Sequence, residues 1–234
     1  MTPRIHYLQN LDTAGVGNIT QWAQAHGYPL TGTHLYAGEP LPRLEDFDIL
    51  VILGGVPQEC SEWLESEILF IRQAIDANKG VVGLCLGSQL IGCAMGGELV
   101  PHTCAESGWL NVELAEKPHT HPLLSGVDSR KLFFFHRNTI VLPPVFELHA
   151  STEGCKNQIF TTSDRVIGIQ SHPEMVASSI EYLATHKADN LPKGPYTTLG
   201  LIDASQDELL TQAAQFLATV LNNLVTVLQQ DYQE

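Results

Sequence analysis

The sequence contains no uninterrupted apolar run of about 18 residues or more, so no stretch reads as a membrane-spanning helix. Its first residues, Met1-Thr2-Pro3-Arg4-Ile5-His6-Tyr7, lack the apolar core of a secretory leader. Basic residues are scarce: 12 Lys and Arg stand against 26 Asp and Glu. The resulting formal net charge of −14 repels phosphate backbones and argues against a nucleic-acid partner. The five cysteines (Cys60, Cys85, Cys93, Cys104 and Cys155) are odd in number and form no Cys-x-x-Cys pair. This argues against a disulfide framework and a structural zinc site. No His-x-x-x-His pair suggests a catalytic metal. Internal repeats, low-complexity segments and an interdomain linker are also missing. These absences predict a cytoplasmic chain with free thiols, read as one domain over residues 1–234.

The 234 residues, 44% of them apolar, suffice for a sizeable core. The first third alternates strand and helix. Ile5–Leu8 reads as a strand, and Asn18 as the cap of a helix that ends at Gly27. Gly15-Val16-Gly17 lacks the third glycine of a dinucleotide-binding turn. Leu30–Leu35 and Phe47–Leu53 read as further strands. The second closes in Gly54-Gly55, which is either a simple turn or a pair of bare N–H groups suited to an oxyanion. Ser61 reads as a helix cap, followed by Leu64, Ile68, Ile71 and Ile75 at helical spacing, with Gly80 as the stop. This order predicts a parallel sheet, with ligands beyond the carboxyl ends of its strands.

The chain is organised around Val81-Val82-Gly83-Leu84-Cys85-Leu86-Gly87-Ser88-Gln89. A buried strand runs into Cys85, a small-residue turn follows, and a helix opens near Gln89. A cysteine at such a turn projects toward substrate, beside the free N–H groups of a helix start that favour the thiolate. A buried core cysteine is the plainer alternative, but Gly83 and Gly87 suit a tight elbow better than a core strand. Short strands follow at Gly96–Val100, Gly108–Leu114, Leu132–Phe135, Phe146–Ala150, Gln158–Phe160 and Val166–Gln170, predicting a mixed β extension. The last of them delivers His172-Pro173-Glu174. This is either a loop tripeptide or a base with its orienting carboxylate, as acyl transfer from a thiol needs. Met175–His186 reads as helical. Ser205-Gln206-Asp207-Glu208 reads as a capping box. It opens a helix whose stripe (Leu209, Ala213, Phe216, Leu217, Val220, Leu221, Leu224, Leu228) is core packing or, alternatively, a homodimer seam.

Gly83–Gln89 resembles the nucleophile motif of class I glutamine amidotransferases, and Val166–Glu174 resembles their second catalytic motif. Leu53-Gly54-Gly55, Glu106-Ser107-Gly108-Trp109 and Phe135-His136-Arg137-Asn138-Thr139 also resemble segments of the amidotransferase domain of GMP synthase and its stand-alone relatives. The match covers residues 45 to 176 in order. It implies an α/β fold with an open, mostly parallel sheet flanked by helices and a mixed β extension, of the flavodoxin-like amidotransferase type. It implies Cys85 as nucleophile, His172 as base and acid, Glu174 as orienter, and backbone N–H groups of Gly55 and Leu86 as the oxyanion hole. Gly54, Gln89, His136, Arg137 and Asn138 would line the substrate pocket. No metal or organic cofactor is implied. Two departures stand out. Ser171 replaces a frequent aromatic residue, and Asn138 replaces a frequent aspartate, which bears on glutamine specificity rather than on the triad. No synthetase segment is read after the last helix. The resemblance therefore leaves three functions: a non-catalytic binding protein, a γ-glutamyl peptidase or hydrolase, or a glutaminase feeding ammonia to a separate synthetase subunit. Residues 187–204 remain unassigned.

Overall fold

The computed structural model describes residues 2–115, 120–187, 194–198 and 206–230. In chain order the elements are β1 (Ile5–Gln9), α1 (Ile19–His26), β2 (Leu30–His34), β3 (Ile49–Ile52), α2 (Leu64–Asp76), β4 (Gly80–Leu84) and α3 (Leu86–Ala94). They are followed by β5 (Glu98–Leu114), β6 (Arg130–Val141), β7 (Glu147–Ser151), β8 (Ile159–Ser163), β9 (Val166–Ile169), α4 (Ala177–His186) and α5 (Gln206–Gln230).

The strands form one sheet of order β2-β1-β3-β4-β9-β8-β7-β5-β6. From β2 to β9 neighbours are parallel; from β9 to β6 they are antiparallel. The central parallel strands are buried on both faces, as helices on each side require. Alternation sorts their side chains. Ile49, Val51, Val82, Leu84, Ile167 and Ile169 join α1 and α5 in one core. Leu50, Ile52, Val81 and Val166 join α2 and α3 in the other. The α5 stripe from Ala213 to Leu228 is thus covered by this chain's own sheet, as the core-packing reading expects. Ser205 of the expected capping box lies outside the described residues.

Several boundaries differ from the sequence reading. Gly96–Val100 and Gly108–Leu114 belong to one 17-residue strand, β5, whose pairing with β6 shifts register between Pro101 and Glu106. Neither Ser61 nor Asn18 caps a helix. α2 starts later, after Trp63, and Asn18 makes no side-chain capping bond. Gly80 is the first residue of β4, and α2 has already ended at Asp76. The helix read from Met175 starts at Ala177. Part of the unassigned 187–204 segment is described. There, Tyr196 O accepts from Ser107 N at 2.9 Å and Thr198 N donates to Ser107 O at 2.8 Å, so this stretch lies along β5.

Candidate active site

The site is built at the carboxyl ends of β1, β3, β4 and β9. Cys85 sits between β4 and α3 with φ 51° and ψ −109°, a left-handed backbone that costs a non-glycine residue energy. Its N–H donates to Ile169 O at 2.9 Å. Its carbonyl accepts from Ser88 N, Gln89 N and Ser88 Oγ, which locks the turn. No small-residue turn intervenes, because α3 begins at Leu86. The paired glycines permit this. A Cβ on Gly83 would lie 2.4 Å from the Gly87 carbonyl oxygen, and one on Gly87 would lie 2.1 Å from the Ile52 carbonyl oxygen. Contrary to the exposed elbow expected from sequence, Cys85 is only 5% exposed, because β3, β9 and β6 enclose it.

His172 lies just beyond β9, its N–H held by Phe133 O at 2.7 Å. Its Nδ1 meets Glu174 Oε1 at 2.8 Å, and its ring also hydrogen-bonds the Cys85 thiol. With Nδ1 donating to the carboxylate, Nε2 is left for the sulfur. Burial pushes the His172 pKa down, but the flanking Cys85 and Glu174 charges and hydrogen bonds outweigh it and hold it well above 6.5. The other Glu174 oxygen, Oε2, is buried without a partner among the described residues.

Glu174 is positioned by a loop that the sequence did not assign to the site. Asn18 N donates to Glu174 O at 2.9 Å, and Asn18 Nδ2 to Pro173 O at 2.7 Å. Gly17, at φ 55°, leaves no room for a side chain: its Cβ would lie 1.9 Å from the Glu174 carbonyl oxygen. The incomplete Gly15-Val16-Gly17 motif thus has a positioning use.

Gly54 lies against both reacting side chains. Its Cβ would fall 2.9 Å from His172 Cε1 and 3.6 Å from Cys85 Cβ. Gly55 abuts Leu86, whose Cδ2 would be 2.8 Å from a Gly55 Cβ. Leu86 opens α3, so its N–H belongs to the first turn, where no intrahelical acceptor exists. Behind Gly55 lies Asn10, whose Nδ2 donates to buried Glu67 Oε1 at 3.0 Å and whose Oδ1 accepts from Trp63 Nε1 at 2.7 Å.

The expected pocket residues behave differently. Gln89 is buried, and its amide nitrogen is taken by Asn138 O and Gln170 Oε1. The His136 ring turns away into the β extension, where Nε2 meets Glu106 Oε2 at 2.7 Å. Arg137 is exposed, and Asn138 is half-buried. Burial pushes the Glu106 carboxyl up, but His136, Thr152 and Gln158 bonded to it bring its pKa below the usual value. Among the described residues no three His, Cys, Asp or Glu side chains gather where they could hold a metal ion.

A cysteine on a left-handed turn between β4 and α3, facing a carboxylate-oriented histidine after β9, agrees with the comparison to known families. The "Glutamine amidotransferase class-I" profile matches residues 17–185. The chain belongs to this family. The glutamine amidotransferase-like protein YfeJ of Salmonella typhimurium is 32% identical over 197 residues, 80% of this chain and 82% of that protein. The glutamine-hydrolyzing component of GMP synthase from Sulfurisphaera tokodaii is 29% identical over 140 residues, 58% of this chain and 72% of that protein. A glutamine amidotransferase structure from Thermotoga maritima superposes with TM-score 0.84 at 22% identity, covering 96% of this chain and 99% of that one. The class-I amidotransferase fold read from the motifs is therefore present.

Proposed function

We propose that this class-I amidotransferase chain hydrolyses the side-chain amide of glutamine through a Cys85 thioester and supplies the ammonia to a separate acceptor or synthetase. The observation that carries this reading is the His172 ring, bonded to Glu174 Oε1 at 2.8 Å and to the Cys85 thiol. A purely binding fold has no need of that arrangement. Cys85 Sγ attacks the amide carbon, and the His172 imidazolium gives its proton to the departing nitrogen. Ammonia leaves and a γ-glutamyl thioester remains. His172 then takes a proton from water, which attacks the thioester, releases glutamate and restores the thiolate. Glu174 keeps the ring in the required tautomer. The N–H groups of Gly55 and Leu86 face the developing oxyanion; one such donor contributes about 3 kcal/mol to the transition state. Similarity to a glutamine-hydrolyzing component of GMP synthase supports a separate synthetase partner. The chain acts as a single amidotransferase domain.

The test is glutamate release by the purified chain from glutamine and from a panel of γ-glutamyl dipeptides, with Cys85→Ala as control. The expected result is glutamine turnover that falls at least 1,000-fold in the variant (about 4 kcal/mol). Turnover of dipeptides in preference to glutamine would replace this reading with a γ-glutamyl hydrolase. Turnover surviving in Cys85→Ala would refute the thioester.

A further inference from the structure

Gln170 follows β9 directly and is fully buried. Its side-chain amide lies between two groups of the site. Nε2 faces Cys85 Sγ at 3.6 Å, and Oε1 faces Gln89 Nε2 at 2.8 Å. The two ends of this amide are not interchangeable, because a backbone carbonyl dictates their order. Gln89 Nε2 also meets Asn138 O at 3.0 Å, and a carbonyl oxygen can only accept. The Gln89 atom lying between Asn138 and Gln170 must therefore be the nitrogen. Its second hydrogen needs an acceptor, which turns Gln170 Oε1 toward it and Gln170 Nε2 toward the sulfur. Reversing both amides would set an oxygen against the Asn138 carbonyl. The polarity of one carbonyl is thus passed through two amides to Cys85.

That carbonyl is itself anchored. Asn138 O accepts from His136 Nδ1 at 2.9 Å, and His136 is held by Glu106. Glu106 in turn accepts from Gln158 Nε2 at 2.6 Å and from Thr152 Oγ1. The whole set is buried in the antiparallel extension, where an unmatched polar group is costly, so the order of donors and acceptors is firmly held. Around Sγ itself stand His172, the Gln170 amide and, further off at 4.0 Å, the Phe135 carbonyl oxygen.

We propose that Gln170 is a further catalytic residue, donating a hydrogen bond from Nε2 to the Cys85 thiolate, and that Gln89 acts as the positioning residue that fixes the Gln170 amide in its donating orientation. This rests on the reading of Cys85 as nucleophile. A donor at the sulfur stabilises the thiolate, both as it stands ready to attack and as it is expelled when water resolves the thioester. Gln170 transfers no proton in either step. The same placement explains why Gln89, expected to bind substrate, is turned inward.

The experiment measures the rate of Cys85 alkylation by iodoacetamide against pH, by peptide mass spectrometry on the full chain, together with glutamate release. Gln170→Leu removes the donor. Its alkylation profile should move to higher pH by about one unit, so that the rate near neutrality falls about tenfold and rejoins that of the parent chain in strong base. Gln170→Glu keeps the shape but presents an acceptor, and should move the profile further. Gln89→Met never touches the sulfur. It should move the profile the same way by a smaller amount, about threefold in rate, and it provides the test should the Gln170 variants fail to fold. Profiles of folded variants that superpose on the parent chain's would overturn the proposal. If Cys85 in the parent chain is not the most readily alkylated thiol, the nucleophile reading itself fails. If it is, and the variants match it, only the role of Gln170 and Gln89 is lost.

Discussion

Glu67 is a charged residue on the buried side of α2, and it shows how one side chain can set the pH response of the site's surroundings. It is 0% exposed, with one oxygen bonded to Asn10 and the other unpartnered among the described residues. Burial pushes its pKa up to about 7 from 4.5, against the hydrogen bond from Asn10. The folded state therefore binds a proton more tightly than the unfolded chain. The Glu67 contribution to stability declines as pH rises from about 4.5 to about 7 and is level above that. Glu67→Gln keeps the acceptor for Asn10 and removes the charge. It should be more stable than the parent chain at pH 8 by on the order of 3 kcal/mol, and about equal to it at pH 4. Urea denaturation at both values checks this; an equal difference at the two would show that Glu67 does not titrate in this range. Individual side chains were unevenly legible in the sequence. Cys85 and the His172-Pro173-Glu174 group stood out because reactive side chains ended apolar strands. Glu67 gave a signal that went unread, since it lies three residues after Leu64 and four before Ile71, on the apolar stripe. Gln170 was visible only as part of a motif, because its role depends on which end of its amide faces Cys85.

At the scale of elements, the loop between β1 and α1 does more than connect them. It holds the backbone of Pro173 and Glu174 through Asn18 and allows their close approach at Gly17. Gly17→Ala forces the loop or Glu174 to move. Because small misplacements at a reacting centre are expensive, glutamate release should fall on the order of 100-fold while the sheet stays folded by circular dichroism. Unchanged turnover would show that this loop does not position Glu174. The strands and their order along the chain were legible from apolar runs bounded by turns. Helix starts were less so. Asn18 and Ser61 are good caps in isolation, yet the Asn18 side chain is drawn to the Pro173 carbonyl, and α2 begins only after Trp63 has reached Asn10. The merging of two predicted strands into β5 was also hidden, because Pro101 and the polar residues after it resemble a turn until β6 pairs alongside.

On the scale of the whole molecule, the parallel half of the sheet supplies Cys85, His172 and the Gly54-Gly55 turn. The antiparallel half supplies a buried polar set, from Glu106 to Gln89, that abuts the same sulfur. One sheet joins the two halves, so the extension supports the site and does not merely cap it. The parallel half was legible because its strands are continuous apolar runs. The coupling of the halves was not, because no local pattern says that β6 will lie beside α3. No helix among the described residues is long and apolar enough to cross a membrane. The central claim is that the buried Cys85 is the nucleophile for a glutamine side chain. Its most direct test is incubation of the chain with a chloroketone analogue of glutamine, followed by intact-mass and peptide analysis. The account predicts a single adduct on Cys85 that forms more slowly when glutamine is present. An adduct on Cys60, Cys93, Cys104 or Cys155 instead, or labelling of Cys85 indifferent to glutamine, would contradict it.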